Sequence, residues 1–411
     1  MTQNGYKQPK GLTILIVIGI TLIYAMQVGL SPLLTTICED LGITSEVWAN
    51  MIIDIVFVGI AIGSLLGSRL LMRCGTYRLY TLSMAACAGS LLAMLWVPDL
   101  PALLLSRVAF GLGFGFGVPF IGAAIASWYS PEQREIMNTL NALFPFIANL
   151  LMFALIEPIQ RVSGLGWRGT SALWGGAITV ILLLWLTLIR PAALPAGGVL
   201  QEASMREVWR SGSLRLLTVT FVCDFCCYAY VGIVLPTIFQ KSGAFSGSSA
   251  NIMAALLFPA IGILGCAAGS ILMRRSHQRK PYLVAGQIFK LLGLTTAALL
   301  GGQSAVLLCI GVALYGFGNG FWIPAMYCVP MEMPDMTPER VAAAFSLMTA
   351  AATVFGFVAP TVGGGLTQRL CTAGLAADRT AALRYSLLLF GLLNGIGAAC
   401  MRRFPDTRKN A

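Results

Sequence analysis

The sequence predicts an all-α polytopic membrane protein with twelve transmembrane helices arranged as two pseudo-symmetric six-helix bundles. Three observations predict it. Of 411 residues, 57% are hydrophobic and only 10% charged, whereas a soluble protein carries about 25% charged residues. Apolar runs near the length of about 20 residues that a bilayer crossing requires recur along the whole chain. Short motifs of the first half also return in the second half, displaced by about half the chain.

The runs fall at 12–37, 46–69, 77–97, 101–128, 134–158, 168–190, 214–240, 248–273, 281–300, 303–329, 338–368 and 381–401, each bounded by charge, Pro or Gly. The longest hydrophilic stretch, PAALPAGGVLQEASMREVWRSGS at 191–213, separates six runs from six. It is expected to be a cytoplasmic linker between an N-terminal bundle (1–190) and a C-terminal bundle (214–411). With the N-terminus inside, nineteen Lys and Arg fall in inner loops and tails. Only Arg161, Arg168, Lys241, Arg369, Arg379 and Arg384 fall in outer loops. Such a bias sets orientation, so both termini are expected in the cytoplasm of a cell, bacterial inner-membrane setting.

The same bias accounts for the net charge of +11. No basic run is interleaved with aromatics, so nucleic acid is not an expected partner. Lys7 and Lys10 precede the first run without a small-residue cleavage site, which reads as an uncleaved span. The eleven cysteines lie mostly in apolar runs, where a thiol behaves as a small hydrophobe. Cys38 and Cys371 fall near expected outer ends, and their pairing stays open.

The repeats decide the architecture. GLGFGFGVP at 111–119 and GFGNGFWIP at 316–324 align at an offset of 205, and SPEQRE after the fourth run echoes TPERVA after the tenth. GSRLLMRCGTYR after the second run echoes GSILMRRSHQRK after the eighth at an offset of 202. Tyr24 and Pro32 align with Tyr228 and Pro236 at 204. Parallel repeats of this kind are a known transporter architecture.

With these motifs the chain resembles the major facilitator superfamily. The family's loop signature of Gly, Asp-Arg and Gly-Arg-Arg/Lys is similar to GSRLLMRCGTYR, which keeps Arg73, Gly75 and Arg78 but has Met72 in the acidic place. The family's Arg-x-x-x-Gly-x-Gly-x-Gly resembles RVAFGLGFGFG, with Arg107, Gly111, Gly113, Gly115 and Gly117. The antiporter kink of the fifth span is missing, and a related APTVGGG sits in the eleventh. The resemblance implies a secondary transporter, and the missing kink leans toward uptake over drug efflux.

Charges inside spans are costly and face partners or wet cavities. Asp54 lies roughly 12 Å and Arg107 roughly 9 Å from the outer ends of their spans, depths that allow pairing. Asp224, roughly 15 Å in, and Lys290, roughly 13 Å in, have the same relation in the second half. The plain reading is that each pair neutralises buried charge. The functional reading makes Asp54 or Asp224 a proton-exchanging group, with Arg107 biasing Asp54 or meeting an anionic solute. Lys290 is expected to be structural, because the ninth span is peripheral in the family.

Polar and aromatic residues recur at helical spacing as candidate solute ligands. They are Tyr24 and Gln27 in the first span, Asn141 and Asn149 in the fifth, Asp224 and Tyr228 in the seventh, and Tyr315, Asn319 and Trp322 in the tenth. Helix–helix hydrogen bonding is the plain alternative. Arg73 and Arg78, with Arg274 and Arg275 at the repeat-related site, are expected to gate the inner side against Glu132 and Glu339, or to contact anionic lipid. The glycine runs read as helix packing sites rather than a nucleotide loop. Cys223-Asp-Phe-Cys226 has no second ligand pair nearby, and His277 sits in a basic loop, so no metal site is expected.

No enzyme constellation, cofactor site or ATP-binding loop is visible. The expectation is a monomeric secondary active transporter moving a small organic solute by alternating access, with protons as coupling ion in an uptake mode. Proton-coupled multidrug or metabolite efflux is the alternative. A membrane receptor that binds a solute without moving it is the alternative from another class.

Overall fold

Gly29 and Pro32 interrupt the first apolar run. In the computed structural model, which describes residues 11–189, 205–241, 248–276, 278–334 and 336–405, α1 (Leu12–Val28) ends there and α2 (Leu34–Asp40) begins after a turn. A proline ring clashes with the carbonyl four residues before it, and four before Pro32 is Val28, the last residue of α1. The single span expected over 12–37 is therefore two helices.

The next element, α3 (Glu46–Ala93), holds 48 residues. At 1.5 Å per residue it would be about 72 Å long, more than twice a hydrocarbon core of about 30 Å. It breaks at Gly75, whose φ of 77° and ψ of 174° favour a residue without Cβ. A single turn of 3₁₀ helix follows at Met94–Trp96, then α4 (Leu100–Trp128), α5 (Pro131–Ser163) and α6 (Trp167–Leu188). Asp99 caps α4 by accepting from the Ala102 amide at 3.0 Å. Ser130 and Gln133 form a reciprocal capping box on α5.

Both arms of α3 lie along α4, and their registers show the reversal at Gly75. Before it, Gly59 meets Val108, Gly63 meets Leu112 and Gly67 meets Phe116, so the numbers rise together and the helices are parallel. After it, the Ser83 hydroxyl donates to the Gly113 carbonyl at 2.6 Å and the Cys87 thiol to the Phe110 carbonyl at 3.7 Å. Ser106 donates to the Ser90 carbonyl at 2.7 Å, so this arm is antiparallel. Helix α3 thus supplies two spans.

Beyond α7 (Met205–Arg210), the second half comprises α8 (Gly212–Lys241), α9 (Ser248–Ser276), α10 (Lys280–Leu299), α11 (Ala305–Glu332), α12 (Pro338–Thr372) and α13 (Arg379–Arg403). Its glycine registers repeat those of the first half. Gly111 packs on the Val56 carbonyl and Gly316 on that of Phe258; Gly115 packs on Ile60 and Ser64, and Gly320 on Gly262 and Cys266. A Cβ on Gly113 would come 2.8 Å from the Cys87 amide, and one on Gly318 would come 2.8 Å from the Lys290 amide. Each contact recurs at the sequence offsets of 202 to 205, so the duplication is present in the packing.

Ten described helices are long and apolar enough to cross a membrane. The division of Val47–Trp96 at Gly75 and the broken α1–α2 account for the remaining spans of a twelve-span chain. Two compact units result. The first comprises Met1–Leu140, Leu151–Val208 and Asp335–Ala350; the second comprises Asn141–Leu150, Trp209–Pro334 and Ala351–Ala411. The first includes the start of α12 because Gly122 packs on Phe345 and the Ser64 hydroxyl reaches the Ser346 carbonyl at 3.3 Å. The second includes part of α5 because Phe146 packs on Gly262 and Phe258. The stretch 190–204 of the expected linker lies outside the described residues, as do Lys7, Lys10 and His277.

Candidate functional site

Four charged side chains lie seven or more residues inside a described helix, away from its ends and from Gly75: Asp54, Arg107, Asp224 and Lys290. In the second unit the expected pair forms. The Lys290 ammonium on α10 donates to the Asp224 carboxylate on α8, and Lys290 is fully buried. Its Nζ also lies 4.1 Å from the centroid of the Trp322 ring on α11, a cation–π contact. One cation therefore ties three helices.

Polar groups surround this pair. Asn394 on α13 donates to the Cys227 thiol at 3.3 Å, and the Gln287 side chain lies against Gly397. Both amide atoms of Gln287 are buried without a hydrogen-bond partner, as are Asn319 Oδ1, Trp322 Nε1 and Asn394 Oδ1. The Tyr315 hydroxyl has no nitrogen or oxygen partner and lies beside the Cys227 thiol. Next to this cluster is an aromatic wall. Tyr315 is 5.4 Å from Phe258, which is 5.7 Å from Tyr228 and 5.9 Å from Phe146, measured between ring centroids. Asn149 donates to the Tyr228 hydroxyl at 3.3 Å.

The first unit neutralises its deep cation differently. Arg107 is fully buried and donates to three carbonyls: Gln27 at 2.7 Å, Met26 at 3.1 Å and Ile52 at 3.3 Å. Met26 and Gln27 are in the last turn of α1, whose carbonyls lack helical partners and form the negative end of the helix dipole. Asp54 is buried and forms no ion pair. The expected Asp54–Arg107 pair is absent, because the α1 carbonyls occupy the guanidinium. Tyr24 stacks edge-on against Phe114 at 4.9 Å, and Gln27 contributes its backbone carbonyl.

The candidate ligands fall into two sets. Asn149, Asp224, Tyr228, Tyr315, Asn319 and Trp322 belong to the second unit with Asn141, whose Oδ1 is also unpartnered; Tyr24, Gln27 and Arg107 belong to the first. Gln287 and Asn394 were missed by sequence reasoning. Their signal was present as amides inside apolar runs, with Gln287 one helical turn before Lys290.

Arg73, Arg78 and Arg275 are exposed, and neither Arg73 nor Arg78 pairs with Glu132 or Glu339 in this structure. Arg274 is likewise exposed. A buried basic residue, Arg279 at the start of α10, instead holds Glu332 at the end of α11, with Nη2 at 2.6 Å and Nε at 2.9 Å. It also donates to the Met273 carbonyl at 3.3 Å. At the α2 end, Asp40 accepts from Arg168 and, at 3.1 Å, from Trp167 Nε1. Arg168 donates to the Val97 carbonyl at 2.9 Å, so α2, the 3₁₀ turn after α3 and α6 are clasped together. These hydrogen bonds, that from Arg168 foremost, hold the Asp40 carboxyl below its ordinary range. All eleven cysteines are free thiols, Cys38 and Cys371 included.

A family model described as the Major Facilitator Superfamily matches residues 16–360. The chain belongs to the Major Facilitator Superfamily. This facilitator is 23% identical over 389 residues to a rice (Oryza sativa subsp. japonica) protein named probable anion transporter 7, covering 86% of this chain and 85% of that one. Its fold matches the proton:xylose symporter XylE bound to 6-bromo-6-deoxy-D-glucose with a TM-score of 0.77 at 15% identity, covering 96% of each chain. It matches the human organic anion transporter MFSD10 with a TM-score of 0.72 at 15% identity, covering 96% of this chain and 100% of that one. The facilitator is a multi-pass membrane transporter, not an enzyme.

Proposed function

We propose that this transporter is a secondary active carrier that takes up a small organic solute by alternating access, with protons as the coupling ion and both termini in the cytoplasm. The observation that carries the reading is the Asp224–Lys290 pair, which joins α8 to α10 inside the second unit. Ion pairs so buried are strongly held only while both charges persist. A proton on Asp224 removes one charge and loosens α8 from α10, which links protonation to helix movement. Asp54, buried and outside any ion pair, is the second proton-exchanging candidate. Within the second unit, Tyr228, Asn141, Asn149, Tyr315, Asn319 and Trp322 are the proposed solute contacts; Tyr24 and Gln27 are the candidates of the first unit taken by itself. The fold likeness to a proton:xylose symporter is in keeping with coupling to protons.

The test is untargeted uptake. Proteoliposomes receive a ¹³C-labelled metabolite extract with an imposed pH gradient, acid outside, and the accumulated label is read by mass spectrometry. Accumulation abolished by a protonophore is expected. Entry that only equilibrates would mean an uncoupled facilitator, and expulsion under the same gradient would mean efflux.

A further inference from the structure

We infer that the transported solute is uncharged and is recognised through hydrogen bonds of both senses around Tyr315, Asn319 and Trp322; this rests on the transport reading above. An anion in a membrane interior needs a cation to meet it, and the deep helix positions hold two. Arg107 donates to three carbonyls, and Lys290 faces Asp224 and the Trp322 ring, so each deep cation already meets negative charge or dipoles. A cationic solute at this cluster would need a carboxylate; the one in the second unit's deep positions, Asp224, is held by Lys290, and the unpaired Asp54 belongs to the first unit.

Neutral groups remain, and they are unmet. A buried polar atom without a partner costs about 1–3 kcal/mol, and native interiors leave few of them. Here they cluster: Trp322 Nε1 and Gln287 Nε2 donate, Gln287 Oε1, Asn319 Oδ1 and Asn394 Oδ1 accept, and the Tyr315 hydroxyl does either. A carboxylate or phosphate group offers acceptors only and would leave the three amide oxygens of this cluster without a donor. An ammonium or guanidinium group offers donors only and would leave the indole and amide N–H groups without an acceptor. Hydroxyl and amide groups both donate and accept, so an uncharged solute bearing them satisfies the whole set. The adjoining rings of Tyr228, Phe258 and Phe146 supply an apolar face for the rest of it.

The experiment uses exchange, which needs no proton gradient. A ¹³C-labelled metabolite extract is separated at pH 7 by ion exchange into anionic, cationic and unretained pools. Each pool is offered to proteoliposomes preloaded with the same pool unlabelled, and entering label is identified by mass spectrometry. Entry of an uncharged solute from the unretained pool is expected, with about tenfold loss of exchange in Asn319→Leu or Tyr315→Phe for each hydrogen bond stranded. Entry from the anionic or cationic pool, or of a zwitterion, overturns the inference. Unchanged exchange in both variants overturns it too, because the cluster would then hold only water. Entry from no pool sinks the transport reading itself. Exchange without gradient-driven accumulation sinks proton coupling and leaves this inference standing.

Discussion

Arg107 and Lys290 are both fully buried cations, and their neighbours meet the charge in opposite ways. Lys290 faces a carboxylate, so removing either partner strands the other. Asp224→Asn or Lys290→Met alone should cost about 3–5 kcal/mol, and the double substitution should recover most of it. Melting of all three in detergent checks this, and additive losses would show that the ion pair is not what stabilises the site. Arg107 faces dipoles, so Asp54→Asn should cost the same in an Arg107→Met background as in the wild type, within about 0.5 kcal/mol. Asp40 predicts a pH effect. Its folded pKa lies below the ordinary carboxylate value, so its contribution is present above that value and fades as pH falls through the depressed one. The melting temperature of the wild type should therefore fall more steeply on acidification than that of Asp40→Asn. Sequence located all four deep charges, because a charge in an apolar run stands out. It misjudged what Arg107 meets, because backbone carbonyls carry no sequence signal.

Helices here are shaped by where Cβ atoms are missing. A methyl at Gly320 would fall on the Gly262 carbonyl and 2.7 Å from the Cys266 amide, so α11 must shift from α9. Gly320→Ala should cost about 1–3 kcal/mol through overpacking. Gly364 on α12 has nothing within 4 Å of such a methyl, and there alanine should stabilise by about 0.5–1 kcal/mol through helix propensity. Opposite signs for one chemical change, read by thermal unfolding, separate packing glycines from incidental ones. The glycine pattern and its role were legible in the sequence, since spacing alone reports a close helix approach. The break between α1 and α2 was not read, although Gly29 and Pro32 stood in view. Hydropathy measures side chains, and the interruption belongs to the backbone.

Across the molecule, the repeated contacts at Gly111 and Gly316, Gly113 and Gly318, and Gly115 and Gly320 show one scaffold used twice. The chemistry was not copied with it. Cys87 stands where the second half has Lys290, and Ile20 where it has Asp224, by the same offsets. Each half nevertheless has a deep cation tying three helices: Arg107 gathers α1, α3 and α4, and Lys290 gathers α8, α10 and α11. The first tie rests on a guanidinium and peptide carbonyls, none of which exchanges a proton in the accessible pH range. The second includes a carboxylate. On the proposed reading a proton on Asp224 slackens one knot and leaves its twin tight, so two ties of matching position differ in what can loosen them.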